Sequence, residues 1–361
     1  MATTTHIQRR GAGRRYSVLV VLVLSMLAGA LAGRTTLPTE SSSAASVRQE
    51  PSHPYSYGWP VRPFDQQHPV RANLGDPRSI FRGAPTQRGL MTSACACSYH
   101  QGIDIAAADG TAVYPVRSGT VRIVTPEWVG VDSDDGVSFQ YWHIHPLVAV
   151  GERVAEDKTV LGHITKGSQH VHLTQLQDGT PVNPLAPGNI GPYSDATTPH
   201  VNRISFRASD TALDLLPEYV HGRIEIVVDA ADAPAIPVPG LWADLPVTPA
   251  RLTYRIESVP AHQVVIRTTT AVDVTRHLPS TPDMWHSYAR GTRMNMVQMG
   301  THRYWYQPGV YLFKLTPSLF DTRRLEDGVY QLTVTASDTD GNHSSATQIF
   351  NVHNRPSWLK R

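Results

Sequence analysis

Three features of the sequence predict an all-β protein in two domains, a compact β-sheet or barrel-like unit followed by an immunoglobulin-like β-sandwich. No segment of the folded part sustains a 3.6-residue apolar period, so long amphipathic helices are not expected. Short apolar runs alternate with turn residues, in a chain carrying 26 Gly and 28 Pro. Near the C-terminus, Tyr330–Ala336 alternates cleanly, passes through the acidic turn Asp338-Thr339-Asp340-Gly341-Asn342, and resumes at Thr347–Val352. A chain of 361 residues has room for both domains.

Taken in order, the chain opens with a basic segment (Arg9, Arg10, Arg14, Arg15) and an apolar run from Val18 to about Ala32 that ends in small residues. This pattern reads as an export signal over residues 1–33. The run is short for a bilayer span, which needs about 20 apolar residues, so cleavage is favoured over an uncleaved tether through residues 18–32. Arg14-Arg15 suggests a twin-arginine signal, but its flanking residues fit poorly. No cysteine follows closely enough to carry a lipid anchor. The expected location is extracytoplasmic: secreted, in the cell envelope, or anchored and facing outward. Residues 34–56, rich in Ser and Thr with few apolar side chains, read as a disordered linker. From Tyr57 to about Gly89 the chain is Pro-rich and aperiodic, and is expected to wrap the edge of the domain that follows.

The first domain is expected over residues 57–199. Its strand candidates are Gly102–Ala106, Val113–Val116, Val121–Val124, Val137–His143, Ala149–Val154, Thr159–Ile164 and His170–Leu176, separated by turns such as Ala108-Asp109-Gly110-Thr111. The second is expected over residues 200–355, with strands at Ile204–Phe206, Arg223–Val228 and Leu252–Ile256 before the C-terminal hairpin. It shows no catalytic constellation, and no internal repeat runs through the chain.

A formal charge of +2 lacks the strong basic excess of nucleic-acid binders, so no nucleic-acid partner is expected. With 17 histidines in the chain, only spacing makes a histidine informative. His170 and His172 share one face of a strand, leaving Val171 and Leu173 for the core. His100 and Asp104 would lie about 13 Å apart in an extended chain, whereas ligands of one metal converge to roughly 2 Å from it. The chain is therefore expected to bend, with Gly102 permitting it. Two residues from this pair and one from His-x-His make three ligands and leave an open position, the layout of a catalytic zinc. Tyr141, His143 and His145 alternate onto one strand face, which offers His143 as another histidine near such a metal. His145, before Pro146, reads as a strand end, and His163, in an apolar run, as structural. Cys95 and Cys97 are the only cysteines. In an exported protein they suit a local bridge or small buried side chains better than metal ligation.

Read together, these stretches resemble the lysostaphin-type zinc murein endopeptidases, peptidoglycan metallopeptidases of the duplicated hybrid motif fold. The resemblance spans about residues 95–188. It rests on His100-Gln-Gly-Ile-Asp104-Ile-Ala, Gly110-Thr-Ala-Val-Tyr, Gly119-Thr-Val, Tyr141-x-His143-Ile, Val150-Gly-Glu-Arg-Val, Val160-Leu-Gly-His-Ile and His170-Val-His172-Leu. It implies that His100, Asp104 and His172 bind Zn2+ and that His143 and His170 flank the metal-bound water, one as base and one as stabiliser of the oxyanion. It also implies a peptidoglycan peptide as substrate. After His172 the chain reads Leu173-Thr174-Gln175-Leu176, where members of the family usually carry an aromatic residue and a glutamate. A non-catalytic envelope module of the same fold, binding peptidoglycan or a partner hydrolase, is the alternative. Such modules typically lose metal ligands, and this chain keeps all three.

Overall fold

The computed structural model describes residues 56–78, 97–208, 213–298 and 305–354, all within the compact unit Gln49–Arg361. The expected signal, most of the expected linker, and Cys95 lie outside the described residues. Among the described residues there is no α-helix, only strands and four short 3-10 turns. None of their helices is long and apolar enough to cross a membrane.

The first part of the chain is built on an antiparallel sheet. Its strands run in the order Val70–Ala72, Ile103–Ala106, His170–Gln177, Ser138–Trp142, Trp128–Ser133, Gly119–Val124 and Arg153–Val154, with Thr180–Val182 also pairing His170–Gln177. A smaller sheet holds Ala112–Val113, Gly162–Ile164 and Ile144–Pro146. Strand alternation sorts the side chains of the large sheet. Ile103, Ile105, Phe139, Tyr141, Val171 and Leu173 point into one core and are at most 1% exposed. Burying each of the aliphatic ones contributes about 1.5–3 kcal/mol. The alternate positions, Asp104, Gln140, Trp142, His170 and His172, line a cleft on the opposite face. Because His172 sits directly across from Asp104 on one neighbour and from Trp142 on the other, their side chains are forced into proximity.

Two differences from the sequence reading have local causes. Trp128–Ser133 is a central strand where none was expected, because Pro126, Gly130 and the acidic run after Val131 disguise its alternation of Val129 and Val131. The aperiodic stretch after Tyr57 does more than wrap an edge. Val70–Ala72 pairs with Ile103–Ala106, while Tyr57, Trp59 and Val61 enter the core.

The C-terminal part holds a five-stranded sheet (Asp214–Leu215, His200–Ala208, Arg223–Ala231, Leu312–Lys314, with Phe320–Asp321) and a four-stranded one (Val264–Asp273, Arg251–Val259, Gly328–Ser337, His343–Val352). Both contribute to a single core that includes Phe206, Ile226, Val228, Leu252, Ile256, Leu332 and Phe350. The hairpin expected at 330–352 is formed by the last two strands. Tyr99, next to the cleft residue His100, is buried in this second core, and its hydroxyl lies 2.8 Å from Ser287 Oγ. Tyr288 donates to the Gly75 carbonyl (2.7 Å) and Asn73 to the Thr248 carbonyl (3.1 Å), so the backbone bordering the cleft is held from the C-terminal side.

Candidate functional site

His100, Asp104 and His172 form a group whose ligand atoms lie within 4.8 Å of one another. His100 Nε2 and His172 Nδ1 each stand 3.0 Å from Asp104 Oδ1 and 2.6 Å from each other. The far side of each ring is held. His100 Nδ1 donates to the Asn73 carbonyl (2.8 Å), which can only accept, so a neutral His100 turns a bare lone pair on Nε2 inward. His172 Nε2 meets Thr174 Oγ1 at 2.7 Å. With that nitrogen donating to the hydroxyl, Nδ1 faces inward as a second lone pair.

Three electron-rich atoms thus crowd one point with no hydrogen between them, a repulsive arrangement unless a cation sits there. Two imidazoles and a carboxylate are a donor set suited to zinc with a position left open. Held ring nitrogens are the usual support of such ligands. Burial and the Arg78 guanidinium push His100 down to about 3, so it stays a neutral donor at ordinary pH. Asp104 is buried too, yet the Arg78 guanidinium, whose Nη2 lies 3.0 Å from Oδ2, holds its carboxyl well below the usual carboxylate range.

The bend from His100 to Asp104 is present, but Gly102 serves it differently than expected. Its φ is not left-handed; the need is for space. A Cβ there would meet the Leu173 carbonyl oxygen at 2.1 Å and His172 Cε1 at 3.1 Å.

His143 and His170 face each other beside this group, ring centroids 4.4 Å apart, and His170 Nε2 lies 3.6 Å from Asp104 Oδ1. His143 is not on the face of Tyr141. The strand ends at Trp142, and His143 takes φ 65°, which reverses the alternation and turns the imidazole into the cleft while Tyr141 stays in the core. That conformation is secured by Thr165, whose N–H (2.9 Å) and hydroxyl (3.1 Å) donate to the His143 carbonyl. Thr165 also contacts Ser168 Oγ, and the Ser168 carbonyl lies 2.6 Å from His170 Nδ1. Asp109, part of a turn in the sequence reading, accepts from the N–H groups of Gly167 and Gln169 and fixes this same loop. One loop therefore sets both histidines. Burial lowers both, His170 to about 3, so each is neutral near pH 7 and able to accept or donate a proton. His145 and His163 are exposed and stand opposite each other on neighbouring strands of the small sheet, away from the cleft. Cys97 is disulfide-bonded and therefore not a thiolate ligand.

The cleft, about 500 Å³, has a wall that the sequence did not disclose. Arg71 and Arg78 come from the stretch read as irregular, and Trp242, Met294 and Asn295 from the C-terminal part. Among the described residues a second group, Asp195, Asp232 and Asp338, also lies within 4.8 Å. No basic side chain pairs with these three among the described residues.

Residues 98–184 match the family model described as peptidase family M23. Among solved structures, the chain is similar to one described as the SpoIIQ–SpoIIIAH pore forming complex, at 25% identity over 36% of this chain and 89% of that one (TM-score 0.28). It is also similar to a zinc containing peptidase from Vibrio cholerae, at 21% identity over 36% of this chain and 39% of that one (TM-score 0.27). A third is described as an M23 metalloprotease, pseudoalterin, from the deep sea, at 17% identity over 42% and 82% (TM-score 0.25).

Proposed function

With residues 98–184 belonging to peptidase family M23 as the premise, we propose that this protein is an exported zinc metalloendopeptidase that hydrolyses peptide bonds of cell-wall peptidoglycan. The observation that carries the reading is the convergence of His100 Nε2, Asp104 Oδ1 and His172 Nδ1 on one point, beside two neutral histidines in a cleft. His100, Asp104 and His172 would hold the ion. Zinc, when bound, polarises a substrate carbonyl and makes water a competent nucleophile near neutral pH.

The remaining work falls to the chain itself. A peptide lies in the cleft with its scissile carbonyl against the His143–His170 pair. One neutral imidazole accepts the proton of the attacking water and passes it to the leaving amine. The other donates its N–H to the oxygen on which charge develops. Arg71 Nη2, 2.6 Å from His170 Nδ1, disfavours a second positive charge on His170. The export segment over residues 1–33 delivers the protein outside the cytoplasm, and an immunoglobulin-like sandwich over residues 200–355 positions the peptidase domain on its polymer.

The test is the purified protein, supplied with zinc, against cross-linked peptidoglycan, with released fragments identified by mass spectrometry. New amino termini from peptide cleavage are expected in the wild type and not in His172→Ala. Full zinc occupancy without cleavage overturns the enzymatic reading in favour of a binding module.

A further inference from the structure

Among the described residues, Arg71 is the buried cation of the cleft wall that pairs with no carboxylate. It is 7% exposed, comparable to Arg207 at 5%. Arg207 is paired with Asp214 and donates to the Arg290 carbonyl. Arg78, on the same wall as Arg71, is paired with Asp104. Among the described residues Arg71 makes a single side-chain hydrogen bond, Nη2 to His170 Nδ1, while its Nε and Nη1 have no hydrogen-bond partner.

Leaving buried donors of a guanidinium unsatisfied costs more than making their bonds gains, so a persistent pair of them needs an explanation. Burial lowers Arg71 only to about 10, so the charge persists at neutral pH. The carboxylates nearby are already engaged. Asp104 is taken by His100, His172 and Arg78, and Asp76 accepts from the N–H and hydroxyl of Thr248.

What covers the guanidinium is an aromatic ring from the C-terminal part. Trp242 lies over it with the ring centroid 3.7 Å from Cζ. Stacking of this kind stabilises a cation and supplies no acceptor. It leaves the fork of N–H groups for a planar anion, the geometry that arginine matches best. The ring belongs to the turn Gly240–Trp242, in which Gly240 and Leu241 are exposed and Trp242 is half-buried.

We propose that Arg71 is the substrate-carboxylate anchor of this cleft: it binds a free carboxylate of the peptide within a residue or so of the scissile bond, with Trp242 stacked on its guanidinium. The proposal rests on the peptidase reading for the identity of the ligand, and it narrows the substrate class to peptides that carry such a carboxylate.

The test compares three N-acetylated alanine–glycine tetrapeptides on the full chain supplied with zinc: one with a free C-terminal carboxylate, its C-terminal amide, and an amidated version in which a glutamate carries the only carboxylate. Preference is read as a ratio of kcat/KM where the peptide is cleaved and of Kd where it is not. The wild type is expected to favour one of the carboxylates over the plain amide by at least about tenfold. Arg71→Gln is expected to bring that ratio near one, whatever it does to the rates themselves. Which carboxylate is favoured tells a C-terminal from a side-chain source. Equal preference in the wild type overturns the anchor, as does an unchanged ratio in Arg71→Gln. The wild-type comparison stands even where that variant does not fold, and Arg71→Lys, which keeps the charge and loses the fork, is then expected to reduce the ratio. Discrimination without cleavage of any peptide leaves the anchor standing, and the peptidase reading then falls if zinc-loaded protein also fails to cleave cross-linked peptidoglycan.

Discussion

His143 holds a left-handed φ of 65°, a conformation that costs a non-glycine residue about 1–3 kcal/mol and that persists only where its surroundings impose it. Here the imposing group is Thr165, through two hydrogen bonds to the His143 carbonyl. Removing one of them in Thr165→Val is expected to lower kcat by about tenfold while zinc content stays at the wild-type level, since supports of this kind commonly account for 10–100-fold. Steady-state kinetics beside elemental analysis separates the two effects. Asp104→Asn, which takes away the charge on which both histidine nitrogens converge, is expected to reduce zinc from near one per chain to a small fraction, read by the same elemental analysis. His143→Ala and His170→Ala are each expected to retain zinc and lose about 100- to 10,000-fold in kcat. Spacing brought His100, Asp104, His170 and His172 forward as candidates, while their roles came from the family resemblance; His143 was offered by an alternation that breaks where the strand ends at Trp142. Asn73, Thr165 and Arg71 were not legible. Each acts through a contact distant in sequence, from residue types that are common everywhere. Thr174 was visible only as a departure from the family pattern; its hydroxyl against His172 gives that departure a task.

At the level of elements, the site depends on how closely two strands and one loop approach. Gly102 lies where a Cβ would strike the Leu173 carbonyl, so Gly102→Ala must push the His100 loop away from His170–Gln177. It is expected to cost more than about 2 kcal/mol, measured by urea unfolding, and to weaken zinc binding together with stability. A variant with wild-type stability would show that the loop has slack. The same approach explains what the sequence reading missed here. Alternation located His170–Gln177 because its apolar and polar residues are cleanly segregated. It failed for Trp128–Ser133, where the positions alternating with Val129 and Val131 include Gly130 and Asp132, a turn-like composition. In that strand Trp128 stacks on Trp142 across the pair, with centroids 4.6 Å apart, a cross-strand contact that single-chain periodicity cannot show.

For the whole molecule, the Asp195, Asp232 and Asp338 carboxyls gather one residue each from the segment between the two cores, the five-stranded sheet and the C-terminal hairpin. Burial raises all three, Asp232 to about 7. A carboxyl that is raised in the fold takes up a proton on folding between its unfolded value, about 4, and its folded value. Its contribution is therefore full below pH 4 and is lost as pH rises towards 7. Asp232→Asn keeps an acceptor for the Ala233 N–H and Thr197 hydroxyl. It is expected to raise Tm by about 2–4 °C at pH 8 and to change it little at pH 4, by calorimetry at both pH values. A lower Tm at pH 8 would show that the charge is compensated rather than costly. The all-β character was legible from strand pattern and turn residues, but the coupling of the two cores was not, because it runs through single residues of unremarkable type. Tyr99 is the clearest of these. It is adjacent to His100, yet its ring belongs to the far core and its hydroxyl to Ser287. The peptidase segment is for that reason not a transplantable cassette. Grafted onto another carrier without the pocket that receives Tyr99, it would keep every ligand in its sequence and lose the anchorage that sets the first of them in place.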